Sequence, residues 1–346
     1  MNIVIGGGVG EHGRNCFYIE GRQYSLMVDC GIMAEGDAHP YPRLTAEQIS
    51  RVRWLLLTHS HQDHTAAYPW LVSQGFQGQV LASEETFAQL SFEVESRRVI
   101  EVGQALDLEE GLHVSCGRSG HCVGSLWFEI DFEGKRLLFS GDYTEDTLLY
   151  ACDKLRGHWA DIAFLDSSRN PVFGSAEALQ MQILRAVTNT IRDGRPVILP
   201  VPRHGRGLEL MQLLYGIGHF RLDEDSQAAR DAIPFQQEWF KQPLKDASSQ
   251  GGSIYFIADT QLKKPGNRVL AERLIAEGGL LLLTGHAEDS SFSMRLVKRG
   301  EASMITYPTH ASDRAVDLLT SLNSFTQVVR THTERHPDPG PITLAD

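Results

Sequence analysis

The sequence predicts a layered α/β protein, on three observations. Short apolar runs alternate with stretches of helical periodicity along the 346 residues. Before residue 170 most of these runs have the length of buried strands, and Glu133-Gly134 separates two of them like a hairpin turn. From about residue 175 longer helical patterns lie between short buried strands. The change of pattern indicates a second α/β domain.

The individual elements follow from the same patterns. The strands expected before residue 170 are 25–30, 54–58, 80–82, 126–131, 136–140 and 162–166. The elements expected after it are helices 177–193, 207–215 and 267–277, and strands 196–200, 254–259 and 280–284. A capping box formed by Thr45 and Gln48 is expected to open a short helix before the second of these strands.

Composition excludes several classes of protein. A net charge of −12 argues against a protein that coats nucleic acid through many Lys/Arg–phosphate contacts. No apolar stretch approaches the roughly 18–20 residues of a membrane span, so no membrane association is expected. The five cysteines form no CxxC pair and are odd in number, which favours reduced thiols and a cytoplasmic location. The oligomeric state, a homodimer included, stays open.

Residues 58–64 carry the strongest chemical signal. His59, His61, Asp63 and His64 follow the apolar run 54–57, where a strand should end and a loop begin. Imidazole and carboxylate together suit zinc or a similar divalent ion. His59 and His61 point the same way in an extended segment, and Asp63 and His64 on the following turn can serve a second ion.

Further polar side chains recur at the ends of predicted strands. They are Asp29, His121, Asp142, Asp166, His310 and His332. A single aspartate at a strand end is usually a turn or cap residue, so only their common arrangement is informative. Six other histidines lack such a context and are expected at the surface or in turns: His12, His39, His113, His158, His219 and His336.

The order of these motifs resembles the metallo-β-lactamase fold, and more narrowly its β-CASP nuclease branch, which includes ribonuclease J. The four superfamily motifs correspond to residues 28–31, 59–64, 120–125 and 139–142, and the three branch motifs to 165–168, 310–312 and 332–334. The resemblance implies a four-layer αββα sandwich formed by residues 1–168 and 307–346. Residues 169–306 would be an inserted α/β β-CASP cap domain. Thr333 stands where the branch usually has glycine.

The resemblance also implies roles for the residues. Two Zn²⁺ ions are expected, with Mn²⁺ as the alternative metal. One ion would be held by His59, His61 and His121, the other by Asp63, His64 and His332, and Asp142 would bridge them. Asp63, His310 and Asp166 are the expected catalytic residues, with His310 oriented by Asp166 to stabilise the leaving oxygen. Asp29 would orient a ligand histidine.

The implied activity is hydrolysis of single-stranded RNA by a metal-bridging hydroxide, which leaves 5′-phosphate and 3′-hydroxyl ends. A DNA nuclease would use the same chemistry, because the sequence contains no signal that reads the sugar. A small-molecule metallo-hydrolase would keep the four superfamily motifs but would not need an inserted domain. A non-catalytic partner subunit is disfavoured, since every expected ligand is present.

Overall fold

Strands that end in the predicted metal ligands belong to two sheets of one structural unit. The structure is a computed structural model that describes residues 1–33, 38–170, 174–245 and 251–345. Unit 1 comprises Met1–Glu145, Cys152–Asn170 and His310–Asp346, and unit 2 comprises Asp146–Ala151 and Pro171–Thr309. Residues 146–151 pack within unit 2.

The first sheet of unit 1 contains the amino-terminal strands. Within the described part of the chain its strands are β1 (Asn2–Gly7), β2 (Cys16–Glu20), β3 (Ser25–Val28), β4 (Val52–Leu56), β5 (Gln79–Ala82), β6 (Arg97–Val99) and β18 (Ile342–Thr343). Their order is β18-β1-β2-β3-β4-β5-β6. The strands from β3 to β6 run parallel, so the chain segments that follow β3 and β4 leave the same edge of the sheet.

The second sheet of unit 1 carries the remaining ligand-bearing strands. Its strands are β7 (Ala105–Glu109), β8 (Leu112–Arg118), β9 (Leu126–Phe132), β10 (Lys135–Phe139), β11 (Trp159–Asp166) and β17 (Ser324–Thr331), in the order β17-β11-β10-β9-β8-β7. The predicted hairpin at Glu133-Gly134 is confirmed: both residues have positive φ, and Phe132 pairs with Lys135. Strands β10, β11 and β17 are parallel and end at a common edge.

The two sheets of unit 1 pack together through aromatic side chains. The ring centroid of Phe17 on β2 lies 4.9 Å from that of Phe164 on β11 and 5.5 Å from that of Phe139 on β10. Phe139 and Phe164 stack on each other at 4.6 Å, and all three rings are buried. Offset and tilted ring contacts of this kind add to the stability that apolar burial supplies. The core between the sheets thus fixes the strand ends that carry the site.

Short helices complete unit 1. They are α1 (Ala46–Ser50), α2 (Gln62–Thr65), α3 (Tyr68–Ser73), α4 (Glu84–Gln89) and α10 (Asp313–Ser321). The predicted capping box is confirmed, because the Thr45 side chain accepts from the backbone N–H of Gln48 and the Gln48 side chain accepts from that of Thr45. Among the described residues, no helix is long and apolar enough to cross a membrane.

Unit 2 is an α/β unit with a parallel sheet. Its strands are β12 (Val197–Pro200), β13 (His219–Leu222), β14 (Ser253–Ile257), β15 (Leu280–Leu283) and β16 (Ser303–Met304), in the order β13-β14-β12-β15-β16. Its helices are α5 (Ala176–Arg192), α6 (Arg206–Leu213), α7 (Glu224–Ala232), α8 (Pro265–Ala276) and α9 (Phe292–Lys298). The expected alternation of helices and buried strands is confirmed.

Buried Glu209 on α6 holds residues 146–151 in unit 2. Its carboxylate accepts hydrogen bonds from the backbone N–H groups of Leu148 (2.8 Å) and Leu149 (2.9 Å) and from the Tyr307 hydroxyl (2.6 Å). The Thr147 hydroxyl also donates to it. A buried carboxylate is tolerated only when donors satisfy its oxygens, and these donors explain why the short segment packs here.

Candidate metal centre

All nine catalytic and ligand residues expected from the sequence, and Asp29, lie in unit 1, and all but His310, which precedes α10, lie at or just beyond the ends of strands. Strands β3 and β4 lead into Asp29 and the segment 58–64, and β8 leads into His121. In the second sheet β10 leads into Asp142, β11 ends in Asp166, and β17 leads into His332. Rigid strands therefore position most of the polar side chains, while the loops beyond them allow the side chains to converge.

Three groups of side chains within the described residues could each hold a cation. The ligand atoms of every group lie within 4.8 Å of one another. The groups are His59, His61, His121 and Asp142; Asp63, His64 and His332; and Asp142, Asp166, His310 and His332. The first two groups contain every ligand that the sequence analysis named.

Asp142 lies at the centre of these groups. One of its carboxylate oxygens is 3.1 Å from His64 Nε2 and 3.1 Å from His332 Nδ1. The other is 3.5 Å from His59 Nε2 and 3.4 Å from His121 Nε2. A carboxylate that faces one pair of imidazoles with each oxygen has the geometry of a bridge between two cations.

The buried polar atoms of the centre fit a metal site. His59 Nε2, Asp142 Oδ1 and both ring nitrogens of His332 are buried and each lie 2.9–3.5 Å from another side chain of the centre, but none makes a well-aligned hydrogen bond with a residue that the structure describes. Buried polar atoms without partners are costly, and imidazole nitrogens and carboxylate oxygens are the atoms that zinc and manganese bind. The donor set therefore suits a pair of such cations.

The imidazoles of the two ligand groups differ in proton affinity. Burial lowers the pKa of His59 and of His121 below the usual histidine value, so both rings are neutral at pH 7 and ready to bind a cation. Burial would also lower the pKa of His64 and His332, but neighbouring carboxylates outweigh burial. Asp142, Asp29 and Asp63 raise the pKa of His64 well above its usual value. Asp142 and Asp63 raise the pKa of His332 to about 10. Cations must displace protons from this second group.

Asp29 orients His64 from the edge of the first sheet. Its carboxylate contacts His64 Nδ1 at 2.7 Å and accepts from the backbone N–H and the hydroxyl of Thr58, each at 2.8 Å. Asp29 itself has a φ of 56°, a left-handed conformation that aspartate adopts more readily than most residues. A carboxylate on one ring nitrogen fixes the ring so that the other nitrogen faces the centre.

Replacing Asp29 by asparagine is therefore expected to weaken cation binding at the Asp63–His64–His332 group by roughly 10–100-fold, the usual cost of losing such an orienting partner. Competition between the protein and a chromogenic zinc chelator measures this affinity. Glu129, whose carboxylate contacts His158 Nδ1 at 2.7 Å on the same sheet as Asp142, supplies the control Glu129→Gln. An Asp29→Asn variant that binds both cations as tightly as the parent would contradict the assignment.

His310 and Asp166 form a pair beside Asp142. His310 Nδ1 lies 3.0 Å from an Asp166 oxygen and 3.8 Å from Asp142. Asp166 is held in turn by the backbone N–H of Tyr143 at 3.0 Å and of Ser168 at 2.9 Å. Asp166 is buried, whereas His310 remains 21% exposed. The imidazole is thus oriented by a fixed carboxylate and still reaches solvent.

Two residues of the site were not predicted. Asn15 contacts His64 Nε2 at 3.0 Å through its side chain and donates from its backbone to Asp63 O. His12, which the sequence placed at the surface or in a turn, stacks on the His332 ring at 4.2 Å, and its Nδ1 lies 3.3 Å from His332 O. Both lie in the glycine-rich loop between β1 and β2, where no local pattern reveals the distant partner.

The family comparison decides the classification. The family described as "Metallo-beta-lactamase superfamily" matches residues 9–192, more than half of the chain. The chain belongs to the metallo-beta-lactamase superfamily. Its similarity to a solved structure from Enterococcus faecalis V583, described as a protein of unknown function, has a TM-score of 0.65 at 12% identity and covers 99% of both chains. This second likeness concerns the fold alone.

Curated relatives within the superfamily are named as RNA-processing proteins. The chain is 24% identical to Endoribonuclease YSH1 of Candida albicans over 88% of its own length and 43% of that protein. It is 26% identical to cleavage and polyadenylation specificity factor subunit 3-I of Arabidopsis thaliana (59% and 34%) and 23% identical to transcription termination factor FttA of Methanothermobacter thermautotrophicus (80% and 50%). Together with the superfamily match, these relatives confirm the resemblance. The chain spans half or less of each relative.

Proposed function

We propose that this superfamily member is a β-CASP ribonuclease that hydrolyses single-stranded RNA with two divalent cations, giving 5′-phosphate and 3′-hydroxyl ends. The observation that carries the proposal is the position of Asp142, which faces two pairs of imidazoles and lies 3.8 Å from the His310 of the His310–Asp166 pair. Hydrolysis of RNA, whose 3′ oxygen is a poor leaving group, calls for both parts: cation ligands and a separate proton donor.

We further propose the architecture that this family assignment implies. The two sheets of unit 1 with the helices that flank them would form the four-layer αββα sandwich, and unit 2 would be the inserted β-CASP cap. The facing aromatic rings of Phe17 and Phe164 support the sandwich, and the parallel sheet of unit 2 supports an independent α/β insertion. The five cysteines are all unpaired, and with that chemistry we place the enzyme in the cytoplasm.

The ligand groups assign the cation sites. We assign His59, His61 and His121 to one cation, Asp63, His64 and His332 to the other, and Asp142 to both. Two bound cations of this type supply activated water and neutralise the charge of a phosphodiester. Zinc suits the nitrogen-rich first group, and manganese suits a site with carboxylate ligands, so either metal can serve.

His310 provides the proton that the departing oxygen needs. When the bond between phosphorus and the 3′ oxygen breaks, that oxygen carries negative charge unless a proton reaches it. His310 is 21% exposed and held at 3.0 Å by Asp166, so its free nitrogen can face a bound substrate. The Asp166 carboxylate stabilises the protonated ring before transfer and keeps its orientation.

The direct test is cleavage of end-labelled single-stranded RNA by zinc-loaded or manganese-loaded protein, with DNA of the same sequence in parallel. We expect RNA cleavage, a fall of about 10²–10⁴-fold in His310→Ala, the usual contribution of a general acid, and loss of cleavage in Asp63→Ala. A matched control is His113→Ala, which removes an exposed histidine that pairs with the exposed Asp107 and is not an expected ligand.

The alternatives give different results. Faster cleavage of DNA than of RNA would reassign the protein as a DNA nuclease. Loaded protein that leaves both polymers intact but hydrolyses esters, thioesters or cyclic phosphates would be a small-molecule hydrolase, and the nuclease proposal would then be wrong.

A further inference from the structure

Arg335 fastens the chain segment that carries Asp166. Its guanidinium donates to three consecutive backbone carbonyls: Nη1 to Ser168 O at 3.2 Å, and Nη2 to Ser167 O and to Arg169 O, the latter at 3.3 Å. The planar guanidinium presents several donors in fixed directions, which a lysine ammonium cannot do. Arg335 therefore restrains the backbone directly after Asp166.

The same guanidinium is tied to the helix that follows His310. Arg335 Nε donates to Asp313 Oδ2 at 3.2 Å, and Asp313 is the first residue of α10, three positions after His310. The Ser167 hydroxyl donates to the other Asp313 oxygen. Arg335 and Asp313 thus connect the Asp166 segment with the His310 segment.

Asp313 keeps its charge in this network. Burial would raise the pKa of its carboxyl, but hydrogen bonds from Ser167, His336 and Arg335 outweigh burial and hold the pKa below its usual range. Arg330 contacts the same carboxylate at 3.1 Å but donates to none of the three carbonyls that bind Arg335. Arg330 and Arg335 therefore both bind the Asp313 carboxylate, but only Arg335 binds the carbonyls of residues 167–169.

Proton donation by His310 depends on the positions of the two segments that Arg335 and Asp313 connect. His310 is partly exposed, and its ring contacts Asp166 at 3.0 Å, so its direction depends on where Asp166 and the start of α10 lie. The two segments share one backbone bond, from Arg169 N–H to Ala311 O at 3.1 Å. A misplacement of about 1 Å can cost on the order of 10²-fold in rate.

We propose that Arg335, through Asp313 and the carbonyls of residues 167–169, is a positioning residue that aligns the Asp166–His310 pair for proton donation to the leaving oxygen. The proposal rests on the ribonuclease function above. Arg335 lies just beyond the last motif. None of its contacts with residues that the structure describes involves an expected cation ligand.

Two substrates separate positioning from general structural damage. In RNA the departing 3′ oxygen is a poor leaving group, and the proton from His310 must reach it as the phosphorus–oxygen bond breaks. In bis(p-nitrophenyl) phosphate the departing nitrophenolate leaves without a proton. Loss of alignment should therefore slow RNA hydrolysis selectively.

For Arg335→Met we expect kcat on RNA to fall by roughly 10–100-fold, with KM within about threefold of the parent. Its rate on bis(p-nitrophenyl) phosphate should stay within about threefold of the parent rate. It should still bind two cations per chain. Arg335→Lys should retain more RNA cleavage than Arg335→Met but less than the parent, because lysine keeps the positive charge and lacks the several fixed N–H donors of the guanidinium. Asp313→Asn, which keeps the shape of the side chain, should show the same selective loss.

Arg330→Met is the matched control and should leave both rates within about threefold, since it removes contacts with the Asp313 carboxylate and the Asp313 carbonyl but none with the carbonyls of residues 167–169. Equal losses on both substrates in Arg335→Met and Asp313→Asn, or a loss of bound cation, would overturn the positioning role while leaving the nuclease intact. A parent protein that hydrolyses neither substrate would instead overturn the proposed function itself.

Discussion

Asp142→Asn is expected to lower RNA cleavage by on the order of 10³-fold or more, the scale seen when one member of an interdependent catalytic group is removed. The carboxylate contacts His64 and His332 with one oxygen and His59 and His121 with the other. The asparagine amide offers one oxygen and turns an N–H donor toward the remaining ligands. The bound metal should fall from two ions per chain to one or none, measured by mass spectrometry of the dialysed protein.

The same substitution should also destabilise the metal-free protein. Asp142 and Asp63 raise the pKa of His332 to about 10, so removing one carboxylate leaves a buried, protonated imidazole less well compensated. Loss of one partner from a buried charge pair costs roughly 3–5 kcal/mol of unfolding free energy, which urea titration of chelator-treated protein can measure.

Asp107→Asn provides the comparison for Asp142→Asn. Asp107 contacts His113 Nδ1 at 2.8 Å, but its side chain is 90% exposed, and such surface pairs contribute little to stability. We expect the Asp107→Asn variant to keep the metal content, the RNA cleavage rate and the free energy of unfolding of the parent. If Asp142→Asn also bound two ions with the parental affinity, the bridging assignment would be wrong.

Much of the site was readable from the sequence because its chemistry lies at strand ends. An apolar run followed by His59, His61, Asp63 and His64 indicates a strand with metal ligands in the loop directly after it. The structure brings these side chains together with Asp142. The hairpin at Glu133-Gly134 was equally visible, since Gly134 tolerates the positive φ that the turn requires, although Glu133 adopts a positive φ as well.

Other parts of the molecule depend on contacts that no local pattern reveals. Strand β7 forms the edge of its sheet and contains only two leucines among its five residues, so no apolar run marked it as a strand. His12 stacks on His332, which is 320 positions away in the chain. The link from Arg335 to the carbonyls of residues 167–169 likewise arises only when β11 and β17 pair side by side.

Gly31→Ala is the second substitution for which we expect a large effect. A Cβ at position 31 would lie 1.7 Å from Asp63 O and 2.1 Å from Asp63 C, and these are backbone atoms that cannot rotate away. The neighbouring bonds, from Cys30 N–H to His64 O and from Ile32 N–H to Gln62 O, lock the two segments together. The segment that carries Asp63 and His64 must therefore move.

We expect Gly31→Ala to lower the free energy of unfolding by roughly 3 kcal/mol, the upper part of the usual range for overpacking. Cation affinity should fall more at the Asp63–His64–His332 group than at the other group, because the displaced backbone carries two ligands of the former. Urea titration gives the stability change, and stepwise chelator competition resolves the two cations.

Gly266→Ala is the matched substitution. Gly266 lies in α8 without a positive φ, and no atom lies within 4 Å of the added Cβ, so alanine should be neutral or stabilise the protein by about 0.5–1 kcal/mol through helix propensity. The contrast isolates the clash at position 31 from the loss of a glycine as such. Equal unfolding midpoints and equal retention of both cations in the two variants would show that contact with the Asp63 backbone does not hold the ligand segment in place.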